Sequence, residues 1–363
     1  MGIKKVILQI LLSIEAFFLQ FFKIKSNRIT FISLEHDRPI LDFKMIYQSL
    51  DKEKYDVQLC LIKYKKNLVG QFLYFLNCFK QLYYVYTSKV IILSDNNYVV
   101  SNFKRKGTTV LQVWHACGAI KKFGNVIQRE YPIQNYDYVL STSSYWKKPY
   151  SEAFGVSEEN VLPIGMPRTD KLFDRNKTIK DREQLIRKYP ILKDKKVVLY
   201  APTFRGNIYK GFTSIPFDAD KILSQLSDDY VLIYKYHPLL GDVCLSENER
   251  IINMNNESTY QLFNISDMLI SDYSSIVFDY MILDKQILFY VPDLKEYMTD
   301  LGVYVDVRNL GYPICMNEDE LVLNIKEYPS LKDIHLENKN KFIEIQDGKS
   351  IERVIQLIES LMK

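Results

Sequence analysis

The chain has 363 residues, too many for one ordinary core and enough for two domains of about 150 residues each. Its 47% hydrophobic and 25% charged residues argue against both a disordered chain and a polytopic membrane protein. Forty-eight basic residues interleaved with 44 acidic ones leave a net charge of only +4, so no nucleic-acid partner is expected.

The first element is a helix within residues 1–26. From Val6 to Phe22 the run VILQILLSIEAFFLQFF is strongly apolar, but Gln9, Ser13, Glu15 and Gln20 interrupt it and Lys4, Lys5, Lys23 and Lys25 flank it. A membrane span needs about 20 mainly apolar residues, and no small-residue cleavage site follows, which argues against secretion. After Met1-Gly2 the sixth residue is Val6, where myristoylation wants Ser or Thr. Two readings stay open: an interfacial helix with its apolar face among lipid headgroups and its lysines on anionic phosphates, or a helix docked on the protein's own core. A second aromatic-rich helix, FLYFLNCFKQLYYVY at 72–86, follows Lys63, Lys65 and Lys66 and has more rings than one helix face needs.

Short β-branched runs then alternate with amphipathic stretches: ITFISL (29–34), DVQLCLI (56–62), VIILSD (90–95), VLQVWH (110–115), DYVLST (137–142) and NVLPIG (160–165). This is the rhythm of βαβ units and a parallel sheet. A charged linker and helix at 174–188 separate it from a second series, KKVVLYAPT (195–203), YVLIYKYHP (230–238), RIINM (250–254), DMLISD (267–272) and QILFYVP (286–292). The expected fold is α/β and GT-B-like, with two Rossmann-like domains facing each other across a cleft. The expected parts are the amphipathic helix at 1–26, an acceptor domain at 27–180 and a donor domain at 181–363. A terminal helix at 351–362 is of the kind that often crosses back to the first half.

In open α/β sheets ligands sit beyond the carboxyl ends of the strands, so the polar residues after each run carry the chemistry. His115 and His237 each end a strand, His36 follows the first one, and His335 lies in a charged helix-like segment. A strand-end imidazole at His115 can take a proton from an acceptor hydroxyl while Lys121 and Lys122 offset negative charge. Cys117 lacks a Cys-His-Asn/Asp order, and the five cysteines are odd in number with no CxxC pair, so a thiol nucleophile, a disulfide framework and a zinc site are all disfavoured.

In the second half Thr203 and Arg205, then Lys235 and His237, then Ser271, Asp272, Ser274 and Ser275 would converge on one crevice, with Arg168 among the strand-end residues. Helix-start amides and hydroxyls hold phosphate oxygens, and an arginine fork neutralises a pyrophosphate. Taken singly, Asp272 and Ser274 could be helix caps, and Arg205 and Lys235 surface pairing partners. There is no GxxxxGK[ST] loop and no GxGxxG fingerprint, and the one DxD triplet, Asp218-Ala219-Asp220, opens a helix. A cationic site without metal or cofactor is expected.

With those residues in view, the chain resembles the CDP-glycerol:polyglycerophosphate glycerophosphotransferase family. The matching stretches are QVWHACGAIKKFG (112–124), GMPRTD (165–170), YAPTFRG (200–206), KYHP (235–238) and ISDYSSIVFDY (270–280). The resemblance implies a peripheral enzyme on the cytoplasmic face of the membrane that transfers ribitol or glycerol phosphate from a CDP-alditol to a lipid-linked teichoic acid or capsule precursor and releases CMP. It implies His115 as base and puts the donor pyrophosphate on Arg205 and His237, with Ser274 and Ser275 adding phosphate bonds. Many glycerol-transferring members read WHGTP-L-K where this chain has WHACGAIK, which is similar to members that polymerise ribitol phosphate and leans the donor toward CDP-ribitol. The large extra domain that many polymerases carry is not in the sequence, and primase, short-chain extender and full polymerase all remain open. The rival readings are a GT-B nucleotide-sugar glycosyltransferase and a non-catalytic protein that binds anionic polymer at the membrane surface.

Overall fold

In a computed structural model, which describes residues 3–207, 211–237, 240–241, 243–300 and 302–363, the β-branched runs do become strands. Met1, Gly2 and Pro238, used in the sequence reading, lie outside the described residues. Among the described residues two compact units form: one reaches up to His115 and adds Phe123–Asp170 and Lys349–Lys363, and the other comprises Ala116–Lys122 with Lys171–Gly348.

In the first unit β1 (Lys25–Ser33), β2 (Asp56–Leu61), β3 (Ser88–Leu93), β4 (Thr109–Gln112), β5 (Tyr138–Leu140) and β6 (Val161–Leu162) pair in the order β2-β1-β3-β4-β5-β6. All these pairs are parallel. Phe31 in β1 lies between Leu59 of β2 and Ile92 of β3. Residues 29–32 and 90–93 are buried throughout, as expected of central parallel strands covered on both faces. The unit's helices are α1 (Ile3–Leu19), α2 (Leu41–Ser49), α3 (Leu68–Thr87), α4 (Tyr98–Phe103), α5 (Lys147–Phe154) and the terminal α14 (Ser350–Leu361). Asp170 ties α14 into this unit, its two oxygens accepting from Ser350 N (2.9 Å) and Ile351 N (2.8 Å). Gly165 makes that approach possible: its φ is +89°, and a Cβ there would lie 2.3 Å from Ser350 Oγ.

The first helix docks on the protein's own core along one face. Leu12, Ala16 and Leu19 are buried, and α1 packs on α3. Lys5 Nζ, near one end, donates to Glu130 O at 3.0 Å. Beyond the other end the Arg105 guanidinium donates to Gln20 O and Phe22 O. The opposite face is in solvent, with Ile10, Ile14, Phe17, Phe18 and Phe21 between 52% and 73% exposed, and α3 adds exposed Leu68, Val69 and Phe72. No helix among the described residues is long and apolar enough to cross a membrane.

In the second unit β7 (Lys196–Tyr200), β10 (Tyr230–Tyr234), β11 (Ile251–Asn253), β12 (Met268–Ser271), β13 (Gln286–Tyr290) and β14 (Ile314–Cys315) form a parallel sheet ordered β11-β10-β7-β12-β13-β14. A small antiparallel hairpin, β8 (Arg205–Asn207) with β9 (Gly211–Thr213), follows β7. Its helices are α6 (Asp170–Phe173), α7 (Arg175–Lys188), α8 (Ala219–Ser224), α9 (Thr259–Ile265), α10 (Ile276–Tyr280), α11 (Leu294–Asp300), α12 (Glu318–Lys326) and α13 (Lys332–Phe342). The charged stretch read as linker and helix is α7, which packs on α9 through a buried hydrogen bond from Asn264 Nδ2 to Asp181 (2.8 Å). The excursion 116–122 joins this unit through main-chain bonds, Lys122 N to Gly302 O and Tyr304 N to Ile120 O.

Both strand orders have a switch point, where connections leave in opposite directions and open a crevice at the strands' carboxyl ends. In the first unit it lies between β1 and β3, and in the second between β7 and β12.

Candidate active site

At the first switch point the strand-end loops bring His115, Glu35, Asp95 and Ser94 together. Beyond β4 the chain turns sharply at Trp114, whose φ of +54° is left-handed and costs about 1–3 kcal/mol for a bulky residue. Its surroundings hold it there. Buried Gln112 accepts from Trp114 N through Oε1 (2.9 Å) and donates through Nε2 to Asp95 O (3.0 Å). The indole stacks on Phe123 at 4.9 Å and meets Phe154 edge-on at 5.1 Å. This turn presents the His115 ring, 3.8 Å from the indole.

His115 Nδ1 lies 3.1 Å from Ser94 O and 3.9 Å from Glu35 Oε1. A carbonyl only accepts, so Nδ1 carries the proton and the Nε2 lone pair is left for chemistry. Burial and then Arg168 hold the imidazole below its ordinary pKa, with the Ser94 carbonyl and Asp42 opposing. The side chain is 43% exposed at the pocket mouth, which tempers the shift while its direction keeps the ring neutral near pH 7. Arg168 fixes the backbone here: its Nη1 donates to His115 O (2.6 Å), while its N (2.7 Å) and Nε (2.5 Å) donate to Asp42 of α2. Arg168, grouped by sequence with the donor residues, is thus placed in the first unit, buried against Asp42 and next to His115.

Asp95, also buried, accepts from Ser33 Oγ (2.8 Å) and Leu34 N (2.7 Å) through Oδ2, and its Oδ1 has no hydrogen-bond partner among the described residues. Burial pushes this carboxyl up to about 7 against those two bonds. A pocket of about 80 Å³ opens between Ser33, Glu35, His36, Asp42, His115 and Arg168. That is room for a hydroxyl-bearing fragment, whereas whole-ligand pockets run to about 300 Å³ or more.

At the second switch point the loop after β7 is pinned to the end of β12: Thr203 N donates to Asp272 Oδ1 (2.8 Å), and Ser271 Oγ donates to Ala201 O (2.8 Å). Arg205 donates through Nε (2.6 Å) and Nη2 (3.1 Å) to Asp293, and through Nη1 to Asp272 Oδ2 (2.8 Å) and Thr203 O (3.1 Å). Tyr273 and Tyr297, stacked on each other at 3.7 Å, lie against the guanidinium. These carboxylates hold Arg205 well above the ordinary arginine range despite its burial. Burial raises the Asp272 carboxyl while Arg205, Thr203 N and Lys121 pull it back. Lys121 Nζ donates to Thr203 Oγ1 (3.0 Å).

The other residues singled out by sequence have partners of their own or are at least partly exposed. Lys235 Nζ donates to Asn255 O and Glu257 O, both at 2.8 Å, so two of its protons serve backbone carbonyls. His237 is exposed, its ring edge-on to Phe204 at 4.9 Å. Ser274 and Ser275, half-buried, precede the short α10, and Ser275 gives it no side-chain cap. Lys122 is exposed. Ser271 is wholly buried and holds the loop. Cys117 donates to Asp279 Oδ1 (3.0 Å) in the core, and His335 is bonded to Met281 O and paired with the Tyr312 hydroxyl. Gln112, Asp42, Asp95, Asp293, Tyr273 and Tyr297 were not found by sequence reasoning. Glu35 was at hand, adjacent to His36 after the first strand.

Two Rossmann-like units, one with an imidazole and the other with Arg205 and Lys121 at its switch point, define an α/β transferase of GT-B-like class. The chain belongs to the CDP-glycerol:poly(glycerophosphate) glycerophosphotransferase family, whose sequence profile matches residues 14–360. It is 32% identical over 361 residues to the teichoic acid ribitol-phosphate primase of Bacillus spizizenii, covering 93% of this chain and 92% of that protein. It is 31% identical over 385 residues to the teichoic acid glycerol-phosphate primase of Bacillus subtilis strain 168, covering 97% and 96%. The fold is similar to that of the wall teichoic acid polymerase TagF, with a TM-score of 0.72 at 24% identity over 99% of this chain and 96% of that one.

Proposed function

We propose that the protein transfers ribitol phosphate or glycerol phosphate from the matching CDP-alditol to a hydroxyl of a lipid-linked teichoic acid or capsule precursor. In this reading His115 Nε2 takes the proton of the acceptor hydroxyl, whose oxygen bonds the donor's β-phosphorus as the bond to CMP breaks. Glu35 and the Ser94 carbonyl face the ring edge that becomes imidazolium and stabilise its charge. Thr203, Lys121, His237, Ser274 and Ser275 contact the donor, and Arg205, Asp272 and Lys235 shape the loops that carry them. The supporting observation is an imidazole whose Nε2 has no partner among the described residues, beside a pocket sized for a hydroxyl-bearing fragment, in a chain of this family. Family membership along both units favours this reading over nucleotide-sugar transfer or polymer binding alone.

In the same reading the outward apolar faces of α1 and α3, with lysines nearby, dock on an anionic lipid surface at the cytoplasmic face of the membrane. The deciding experiment supplies CDP-ribitol or CDP-glycerol with a lipid-linked acceptor analogue and measures CMP release by wild type and His115→Ala. Donor-selective release that the variant loses is expected; release unchanged in His115→Ala refutes the base, and no release from either donor refutes the reaction.

A further inference from the structure

Two cations meet at the loop after β7, and they are committed very differently. Arg205 spends its Nε, Nη2 and Nη1 on Asp293, Asp272 and the Thr203 carbonyl, beside the stacked rings of Tyr273 and Tyr297. These bonds take four of its five N–H groups, so it can offer a ligand no two-pronged fork without breaking buried ion pairs.

Lys121 is the counterweight. Its backbone is fixed by the antiparallel bridge to Val303. Its ammonium has three N–H groups and, among the described residues, makes one hydrogen bond, to the Thr203 hydroxyl, near the rings of Phe204 (5.4 Å) and Tyr297 (5.2 Å). No carboxylate among the described residues lies within ion-pair distance of it.

We propose that Lys121 Nζ, with the Thr203 hydroxyl, is the group that contacts the donor's diphosphate, that Arg205 is a positioning residue for the loop, and that diphosphate binding draws a proton onto Lys121. This rests on the reading of the second unit as the donor unit. Desolvation, reinforced by Arg205 and opposed by Asp272, pushes the Lys121 ammonium down to about 8. The charged and titratable groups facing it are Asp272 after β12, Arg205 after β7 and Tyr297 of α11, with Asp293 and Tyr273 behind Arg205. None supplies the contact anion, and a diphosphate would.

The test is isothermal titration calorimetry with CDP at pH 8.5 in two buffers of different ionisation enthalpy, which counts protons taken up on binding. A lysine titrating near 8 when free and well above 9 when bound takes up about 0.7 proton at pH 8.5 and almost none at pH 6.5. Lys121→Arg, charged at both pH values, is expected to bind within about tenfold of wild type and lose the uptake. Lys121→Met is expected to bind at least about 30-fold more weakly. Uptake in Lys121→Arg equal to wild type, or Lys121→Met binding within about threefold, overturns the proposal. Should Lys121→Met fail to fold, the proton count in Lys121→Arg decides alone. Wild type that binds CDP without uptake at pH 8.5 overturns the Lys121 role and leaves the donor site standing, whereas no CDP binding at any pH overturns both.

Discussion

Gln112→Leu tests whether the turn that displays His115 is built by its neighbours. The substitution keeps the side-chain size inside a fully buried site but removes the acceptor for Trp114 N and the donor to Asp95 O. Each buried group left without its partner costs about 1–3 kcal/mol, so the pair costs about 2–6 kcal/mol. The left-handed Trp114 already stores about 1–3 kcal/mol. Losing the bond that holds it is therefore enough to let residues 113–115 relax toward an ordinary extended backbone. His115 then swings away from Ser94 O, and a displacement of about 1 Å in a general base costs on the order of 100-fold in kcat. In a unit of this size the same loss lowers Tm by on the order of 10 °C. The assay pairs thermal unfolding with the rate of CMP release at saturating donor. A variant whose Tm falls while kcat stays within threefold of wild type refutes the argument, because Gln112 would then support the core without setting the histidine.

Three more predictions follow from the same geometry. Asp95→Asn can keep both bonds to Oδ2 through its amide oxygen. Because burial holds the native carboxyl at about 7, far above its unfolded value of about 4, the folded state binds the proton more tightly and that stabilisation is lost as pH rises through 7. The variant is thus expected to gain Tm over wild type at pH 8 and little at pH 5, and equal gains at both would contradict the assignment. For His115, whose folded pKa is depressed, the acid limb of kcat/KM for CMP release is expected at a midpoint below 6.5, since imidazolium cannot accept the hydroxyl proton; a midpoint above 6.5 contradicts the neutral-base reading. Finally, Ile14→Glu with Phe18→Glu, both more than half exposed, is expected to abolish flotation with phosphatidylglycerol vesicles at unchanged Tm, and undiminished flotation removes α1 from the membrane-docking surface.

The strands were legible because central parallel strands are buried on both faces and so read as unbroken runs such as Val90-Ile91-Ile92-Leu93, bounded by polar residues. From strand ends alone the carboxyl-end rule then located His115, Thr203, Arg205 and Asp272. What could not be read was who satisfies whom. Asp42 reaches Arg168 across 126 positions of sequence and Asp293 reaches Arg205 across 88, so a side chain that looks like a free anion clamp is already committed. The left-handed turn at Trp114 was equally hidden, since a bulky aromatic gives no local hint of positive φ. The two-residue β14 is too short to carry a period, and nothing in WHACGAIKK shows that His115 and Lys121, six residues apart, belong to different folding units. That division has a chemical consequence for the proposed reaction. A single short motif would serve the base in one unit and the diphosphate in the other, so any change in segment 116–122 that alters its tie to Val303 and Tyr304 should move donor affinity and proton transfer together.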